Sequence, residues 1–461
     1  MNAIYWGFVS APYVVALLLG LVLPLLVALA YRRFAVGAGL LGAVFCLNAA
    51  LPELAREGFR LGITLYPADF VALMLMAVVG VRLVAHPELR PRSVALWVMV
   101  VVLVVNTLHG LAVNGAGGGN GARGDVYAFT AALYAMTFKF EPAQLRSLLR
   151  VLGAVALLMV LLAVYRWGVT AMDVRDLLPS SGSFQPAGHS KWRVIVSSEA
   201  LVLAELAVLC WYFAGPGQPL KGWQLAAPLL LVMVGFLQHR STWVALLMAI
   251  LAATLAGRAR RAAQTLLLVG VMGILGVGAL VFGGGDVASD VQKSAAEAVQ
   301  LKGTAAERLG SWRQLVKNWA GSGTRGVLIG QPTGTVLERY ASDELGARRL
   351  SYQAHNYYVT VLTAHGAVGF AAFLVLLAQL LVRLYRVTRQ PQHQTAAGVL
   401  LVLVVAQCGY YLTYGTDYLQ WMALGVALAF ARQFQPAPAA SGKPAFRHPS
   451  TLPRPPLSPR V

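Results

Sequence analysis

Residues 355–383 have the sequence HNYYVTVLTAHGAVGFAAFLVLLAQLLVR, in which a His-Asn pair precedes a long apolar run. About 20 consecutive apolar residues are enough to cross the hydrocarbon core of a bilayer. We therefore predict a transmembrane helix here, with His355 at its water-facing end. Unpaired backbone N–H groups and the positive end of the helix dipole favour anions such as phosphate at that position. The stretch predicts a functional site at a membrane surface.

The composition is that of an integral membrane protein: 58% of the residues are hydrophobic, 12% are charged, and the mean hydropathy is +0.65. The formal net charge is +19, but the cations gather in short loops between apolar runs, where they set membrane topology. We therefore expect membrane lipids or lipid phosphates as partners, and no nucleic acid. Cys46, Cys210 and Cys408 lie in separate apolar runs and are predicted to be core residues.

The predicted fold is all-α: a polytopic membrane bundle of about 12 transmembrane helices with one large helical extramembrane segment between late spans. The predicted domains are an N-terminal bundle (1–283), the helical segment (284–353), C-terminal transmembrane helices (354–434) and a disordered, Pro-rich basic tail (435–461). The apolar runs are 8–31, 34–52, 63–85, 93–113, 125–138, 148–168, 194–216, 223–238, 241–257, 262–283, 354–385 and 394–432. The last run is long enough for two helices with a break near Gly415.

Basic clusters between the runs predict which ends of the helices are cytoplasmic. On this criterion the segment 284–353, His355 and the turn at Arg240 share the opposite, non-cytoplasmic side, together with the loop 169–193. The clusters are Arg32-Arg33, Arg90 with Arg92, Lys139 with Arg146 and Arg150, Arg258 with Arg260 and Arg261, and Arg383 with Arg386 and Arg389.

Two arginines are candidates to bind phosphate on that side. Arg240 lies in the polar stretch QHRSTW (238–243) between two apolar runs, and Arg308 lies in AERLGSW (306–312). A charge in or beside a membrane span is costly unless it is paired or hydrated, so such a charge is a candidate for a functional role. A guanidinium group can bind two phosphate oxygens at once. The alternatives are a turn arginine at 240 and an ordinary solvated charge at 308.

Lys191 and Arg193 precede the run 194–216 and either complete a cationic pocket or anchor the chain at the membrane boundary. Asn356 is a third substrate-binding candidate. His365 is predicted to be a buried structural histidine. No metal-binding motif is present in the sequence, so the predicted chemistry uses no metal and no cofactor.

The order of these motifs resembles the O-antigen ligase superfamily. The resemblance rests on Arg240-Ser241-Thr242-Trp243, on Glu307 to Trp312 and Gly326 to Gly330 in a long outer loop, and on His355-Asn356 followed by Gly366 and Gly369. It implies a multi-pass glycosyltransferase of the bacterial inner membrane with its active site on the periplasmic side. The implied donor is a glycan on undecaprenyl pyrophosphate, and the implied acceptor is a sugar hydroxyl of the lipid A core.

The resemblance also implies roles for residues. His355 would be the catalytic base, Arg240 and Arg308 would bind the pyrophosphate, and Arg193 matches its motif more weakly. A single displacement by the acceptor hydroxyl would invert the anomeric carbon. Three alternatives stay open: an O-antigen polymerase, a protein O-oligosaccharyltransferase, and, from another class, a transporter or flippase of lipid-linked sugars. A transporter is expected to show internal repeats or paired broken helices.

Overall fold

A computed structural model describes residues 22–52, 59–61, 63–172, 193–214, 220–282, 304–335, 338–343, 346–351 and 354–434. This part of the chain is a helical bundle with two short antiparallel hairpins. The membrane-bundle prediction is confirmed at this level. Six helices are long and apolar enough to cross a bilayer, as in a multi-pass membrane protein.

The first half of the bundle contains six helices and one hairpin. The elements are α1 (Val22–Arg32), α2 (Phe34–Ala50), β1 (Phe59–Leu61), β2 (Ile63–Leu65), α3 (Pro67–Ala85), α4 (Val94–Asn114), α5 (Ala116–Met136) and α6 (Pro142–Ala171), with a short 3-10 turn at Pro87–Leu89.

The second half contains the remaining described elements. They are α7 (Ser197–Phe213), α8 (Ala226–Leu237), α9 (Arg240–Phe282), α10 (Thr304–Ala320), α11 (Gly323–Ile329), β3 (Glu338–Asp343), β4 (Gly346–Ser351), α12 (Tyr357–Val387), α13 (Gln394–Tyr411) and α14 (Tyr418–Arg432). The run 394–432 is indeed two helices, separated by residues 412–417, as predicted.

Three predicted elements differ from the structure. The runs 241–257 and 262–283 form one continuous helix, α9, because Ala and Arg at 258–262 favour the helix and no Pro interrupts it. The segment 284–353 is not wholly helical, since β3 and β4 form a hairpin within it. The short run 125–138 belongs to the longer α5, whose first turns are rich in Gly. The first part of the run 8–31 and the tail 435–461 lie outside the described residues.

Glycines in α5 allow it to pack against other backbones. A β-carbon at Gly118 would overlap the backbone of Gly110 on α4, and one at Gly121 would overlap Gly334. Further along, Gly425 of α14 packs directly on Ala132 of α5. Each helical Gly costs about 1 kcal/mol relative to Ala, so close packing is what offsets the poor helix propensity of this stretch.

Hydrogen bonds and shared cavities identify the two ends of the bundle. Asn106, late in α4, bonds to Ala364, early in α12, whereas Arg92 before α4 and Arg383 late in α12 line one cavity at the opposite end. We call these the His355 end and the basic end. The basic clusters that begin at Arg32, Arg90, Lys139 and Arg383 lie at the basic end, where Arg82 donates to the carbonyls of Tyr31 and Thr137 and Arg432 donates to the carbonyl of Leu89.

Candidate functional site

His355 stands at the entry to α12 with an unusual backbone. Its φ is +43°, in the left-handed region that residues other than Gly seldom adopt. The next residue, Asn356, is the N-cap of α12: its Oδ1 accepts from the N–H of Val359 (3.1 Å) and its Nδ2 donates to the carbonyl of Leu412 (3.1 Å). The Asn356 cap therefore fixes where α12 begins, and the left-handed residue before it turns the imidazole toward the 412–417 loop.

The 412–417 loop between α13 and α14 brings together two of the predicted residues, His355 and Arg308. The His355 ring lies over Tyr414, with ring centroids 5.0 Å apart and planes at 34°. Arg308 donates from Nη1 to the carbonyl of Thr413 at 3.3 Å. Burial raises the pKa of Tyr414, and the nearby Arg308 opposes the rise, so the phenol stays protonated at neutral pH. His355 and Arg308 thus meet at one loop.

Helix α10 holds Arg308 in place through a second contact one turn later. Trp312 donates from its indole N–H to the carbonyl of Ala354, the residue before His355, at 2.5 Å. Residues four apart lie on the same face of a helix, so Arg308 and Trp312 both face this region. Helix α10 is therefore fixed to both sides of the candidate site.

Arg240 begins α9 directly after Gln238 and His239, and we call residues 238–241 the arginine turn. Gln238 has a φ of +53°, and His239 Nε2 lies 2.8 Å from the carbonyl oxygen of Ile195. The Ser241 and Ser197 hydroxyls contact each other. Burial, with a contribution from the charge of Arg193, lowers the pKa of His239 to about 4. The arginine turn is thus tied to the segment that carries Arg193, which is exposed.

An apolar cluster connects the arginine turn to His355. Leu201 of α7, Ala245 of α9 and Tyr410 of α13 pack together with Tyr414, and the Tyr410 and Tyr414 ring centroids are 5.5 Å apart. Leu201 and Ala245 lie about one turn into their helices from Ser197 and Ser241. Arg193, Arg240, Arg308 and His355 therefore share one end of the bundle, and Lys191 lies outside the described residues.

The sequence reasoning missed a second structure beside His355. Residues 328–334, which we call the glycine clasp, insert between α4, α5 and α12. The Asn106 amide donates to the carbonyls of Ile329 and Ala364 (2.8 Å for Ala364), Asn114 Nδ2 donates to the carbonyl of Thr333 (2.8 Å), and the Gln331 N–H donates to the carbonyl of Thr363 (3.1 Å). Asn106 is fully buried.

The glycine clasp coincides with a break in α12. Gly366 has a φ of +65° inside the helix, and a β-carbon there would overlap Leu328 and Gly330. His365 is 4% exposed, which confirms its predicted burial. Its Nε2 lies 3.3 Å from Asp125 Oδ2. At the break, the carbonyl of Thr363 accepts a hydrogen bond from the Gln331 N–H, and the carbonyl of Ala364 accepts one from the Asn106 side-chain amide. The glycines at 117–124 and 330–334 were the sequence signal for this contact.

The fold is that of a multi-pass helical membrane protein, and polar and arginine side chains gather at the entry to α12. In the ranges that the structure describes, no group of three or more His, Cys, Asp or Glu side chains could hold a metal ion. Neither protein-family models nor curated proteins give a match to this chain.

Proposed function

We propose that this chain is a membrane glycosyltransferase of the O-antigen ligase type. It transfers a glycan from undecaprenyl pyrophosphate to a sugar hydroxyl of the lipid A core, on the periplasmic face of the bacterial inner membrane, without metal or cofactor. The observation that carries the proposal is the meeting of His355 and Arg308 at the 412–417 loop, at the end opposite the basic clusters. His355, Arg308 and the loop lie far apart in the sequence, so it is the fold that brings them together.

In the proposed reaction, His355 accepts the proton of the acceptor hydroxyl. The hydroxyl oxygen attacks the anomeric carbon and forms the new glycosidic bond, while the bond from that carbon to the phosphate oxygen breaks. Undecaprenyl pyrophosphate leaves with the bonding electron pair. Attack opposite the leaving group inverts the configuration, and a neutral imidazole is available for the proton at neutral pH.

Arg308 and Arg240 are proposed to bind the pyrophosphate and stabilise the charge that develops on it. Fixed guanidinium groups are suited to this because they need no reorganisation as the charge grows. Arg308 is fixed through Thr413 on one side, and α10 is fixed through Trp312. Arg193 and Lys191 are proposed as further phosphate contacts at the rim. The Asn356 side chain is engaged with Val359 and Leu412, so its proposed contribution to binding is to set the start of α12.

The test uses wild-type protein in detergent with a chelator present. The donor is a glycan on undecaprenyl pyrophosphate, offered with lipid A core, with a second lipid-linked glycan, or with a pilin-like protein. Transfer to lipid A core alone supports the ligase. Transfer to the lipid-linked glycan indicates the polymerase instead, and transfer to protein indicates the O-oligosaccharyltransferase. Folded protein that leaves the donor uncleaved with every acceptor contradicts the enzyme and favours a transporter.

A further inference from the structure

Three arginines converge on one small cavity at the basic end. Arg92 precedes α4, Arg383 lies in the last turns of α12, and Arg432 ends α14. They line a cavity with Gln379 and apolar side chains that include Leu376 and Leu380, and we call it the arginine cavity. The three come from distant parts of the sequence. A stripe of cations that only oriented the helices would not need to converge in this way.

The arginine cavity has no carboxylate among its lining residues. Arg432 is fixed by donating to the carbonyls of Leu89, Met136 (3.1 Å) and Phe138 (3.1 Å). Within the described ranges, the guanidinium groups of Arg92 and Arg383 have neither a hydrogen bond nor an ion pair. Three positive charges around one cavity therefore lack a counterion in its wall, and such an arrangement favours an anion.

One carboxylate lies near this region without entering the cavity. Glu88 attracts Arg432 electrostatically, while Arg92 repels it. Glu88 is on the short turn before Arg90, its side chain is 65% exposed, and one of its carboxylate oxygens lies 3.3 Å from Nδ1 of His86. An exposed, partly engaged carboxylate offsets only part of three converging positive charges.

The position of the cavity favours a membrane lipid. Trp97 (38% exposed) on α4 and Tyr385 (37% exposed) on α12 lie close in sequence to Arg92 and Arg383, and exposed Trp and Tyr mark the headgroup level of a bilayer. Ser93 lines the cavity and is the N-cap of α4, so the positive end of that helix points to the same place. The buried side chains of Leu376 and Leu380 also line the cavity.

The size of the cavity agrees with part of a headgroup. Its volume is about 30 Å³, and on the same scale a water molecule needs roughly 10–15 Å³. That is room for about two oxygen-sized groups, as in the two unesterified oxygens of a phosphodiester whose glycerol and acyl chains stay outside. We propose that the arginine cavity binds the phosphate of an anionic phospholipid in the leaflet at the basic end.

The test compares two double variants that remove the same charge from the same end. R92Q/R383Q removes two of the three guanidinium groups that line the cavity. R146Q/R150Q removes two exposed arginines at the start of α6 that do not line it. Binding of phosphatidylglycerol to each detergent-purified protein is measured by native mass spectrometry and by the rise in Tm, with phosphatidylcholine and inorganic phosphate as comparison ligands.

The proposal expects R92Q/R383Q to weaken phosphatidylglycerol binding by roughly tenfold or more, about the contribution of lost bidentate contacts, and R146Q/R150Q to leave it nearly unchanged. Equal weakening in both variants would mean diffuse attraction and overturn it, as would equal binding of phosphatidylcholine. Inorganic phosphate that binds as tightly as the lipid would also overturn it. If R92Q/R383Q does not fold, Arg92→Gln and Arg146→Gln, both at exposed positions, give the same comparison. No transfer activity is needed for this measurement.

Discussion

The entry to α12 is held on two sides by different kinds of contact. On one side, His355 and Arg308 meet the 412–417 loop through one ring contact and one hydrogen bond to a carbonyl. On the other side, the glycine clasp is joined to α4 and α12 by buried backbone and amide hydrogen bonds, with glycines where the backbones touch. The first side leaves side chains partly accessible for chemistry, whereas the second is packed too closely to admit a ligand.

This difference suggests that the loop side carries the chemistry and that the clasp side stabilises the fold. Substitutions on the loop side should reduce transfer while the fold persists, and substitutions on the clasp side should reduce stability first. A variant that lost activity and stability together would weaken the distinction, so transfer activity and unfolding of the His355, Arg308 and Asn106 variants are measured on the same preparation.

The largest effect is expected at His355. His355→Ala removes the group proposed to take the proton, and general-base catalysis contributes about 10²–10⁴-fold, so transfer should fall by that factor while Tm changes little. His86→Ala, a partly exposed histidine at the basic end, is the matched control and should retain activity. Full transfer by folded His355→Ala protein would exclude the proposed base.

Arg308 should show the second largest effect. Arg308→Ala removes a fixed cation, and loss of one such stabilising donor costs about 10²–10³-fold in kcat. Arg308→Lys keeps the charge without the planar fork and should recover only part of the activity. The control is Arg313→Ala, an exposed arginine on the same helix. Equal losses for Arg308→Ala and Arg313→Ala would indicate a general charge effect instead.

On the clasp side, Asn106→Ala should act on stability. It leaves the carbonyls of Ile329 and Ala364 without their shared donor, and each unpaired buried carbonyl costs about 1–3 kcal/mol. The measurement is unfolding in detergent beside residual transfer per folded molecule. Gly39→Ala serves as a control, because a β-carbon at that α2 position meets open space. Unchanged stability of Asn106→Ala would show that the clasp does not support α12.

The sequence predicted the loop side better than the clasp side for a physical reason. His355, Arg240 and Arg308 are polar residues at the borders of apolar runs, so the sequence alone marks them as candidates. Asn106 is a lone amide inside an apolar run, and its partners at 329 and 364 lie more than two hundred residues away. The Gly-rich stretch before Asp125 was visible, but Gly is a poor helix former, so its inclusion in α5 depends on tertiary contacts with Gly110 and Gly334.

The same limit applies to α9 and to the hairpin of residues 338–351. Basic residues at 258–261 were expected to interrupt the helix, and this prediction was wrong because arginine propagates a helix well. The segment 284–353 was predicted to be helical from its regular apolar spacing up to Trp319. The hairpin beyond it depends on strand pairing between Glu338–Asp343 and Gly346–Ser351, which helical periodicity does not report.

The smallest expected effect is a pH dependence at the arginine turn. The pKa of His239 falls from 6.5 to about 4 on folding, so below pH 6.5 the unfolded chain binds more protons and stability declines as the pH falls toward 4. Burial raises the pKa of Asp417 to about 6. Protonated Asp417 therefore stabilises the fold at low pH, and this contribution is lost as the pH rises through 6, which opposes the effect of His239.

His239→Gln isolates the effect of His239, because Asp417 is common to both proteins and the Gln amide can still donate to the carbonyl of Ile195. Between pH 7.5 and 5 the wild type should lose roughly 1–3 kcal/mol more than the variant. Parallel Tm profiles for the two proteins would show that His239 gains its proton without cost in the fold, and the His239 ring would then be less buried than its hydrogen bond to Ile195 indicates.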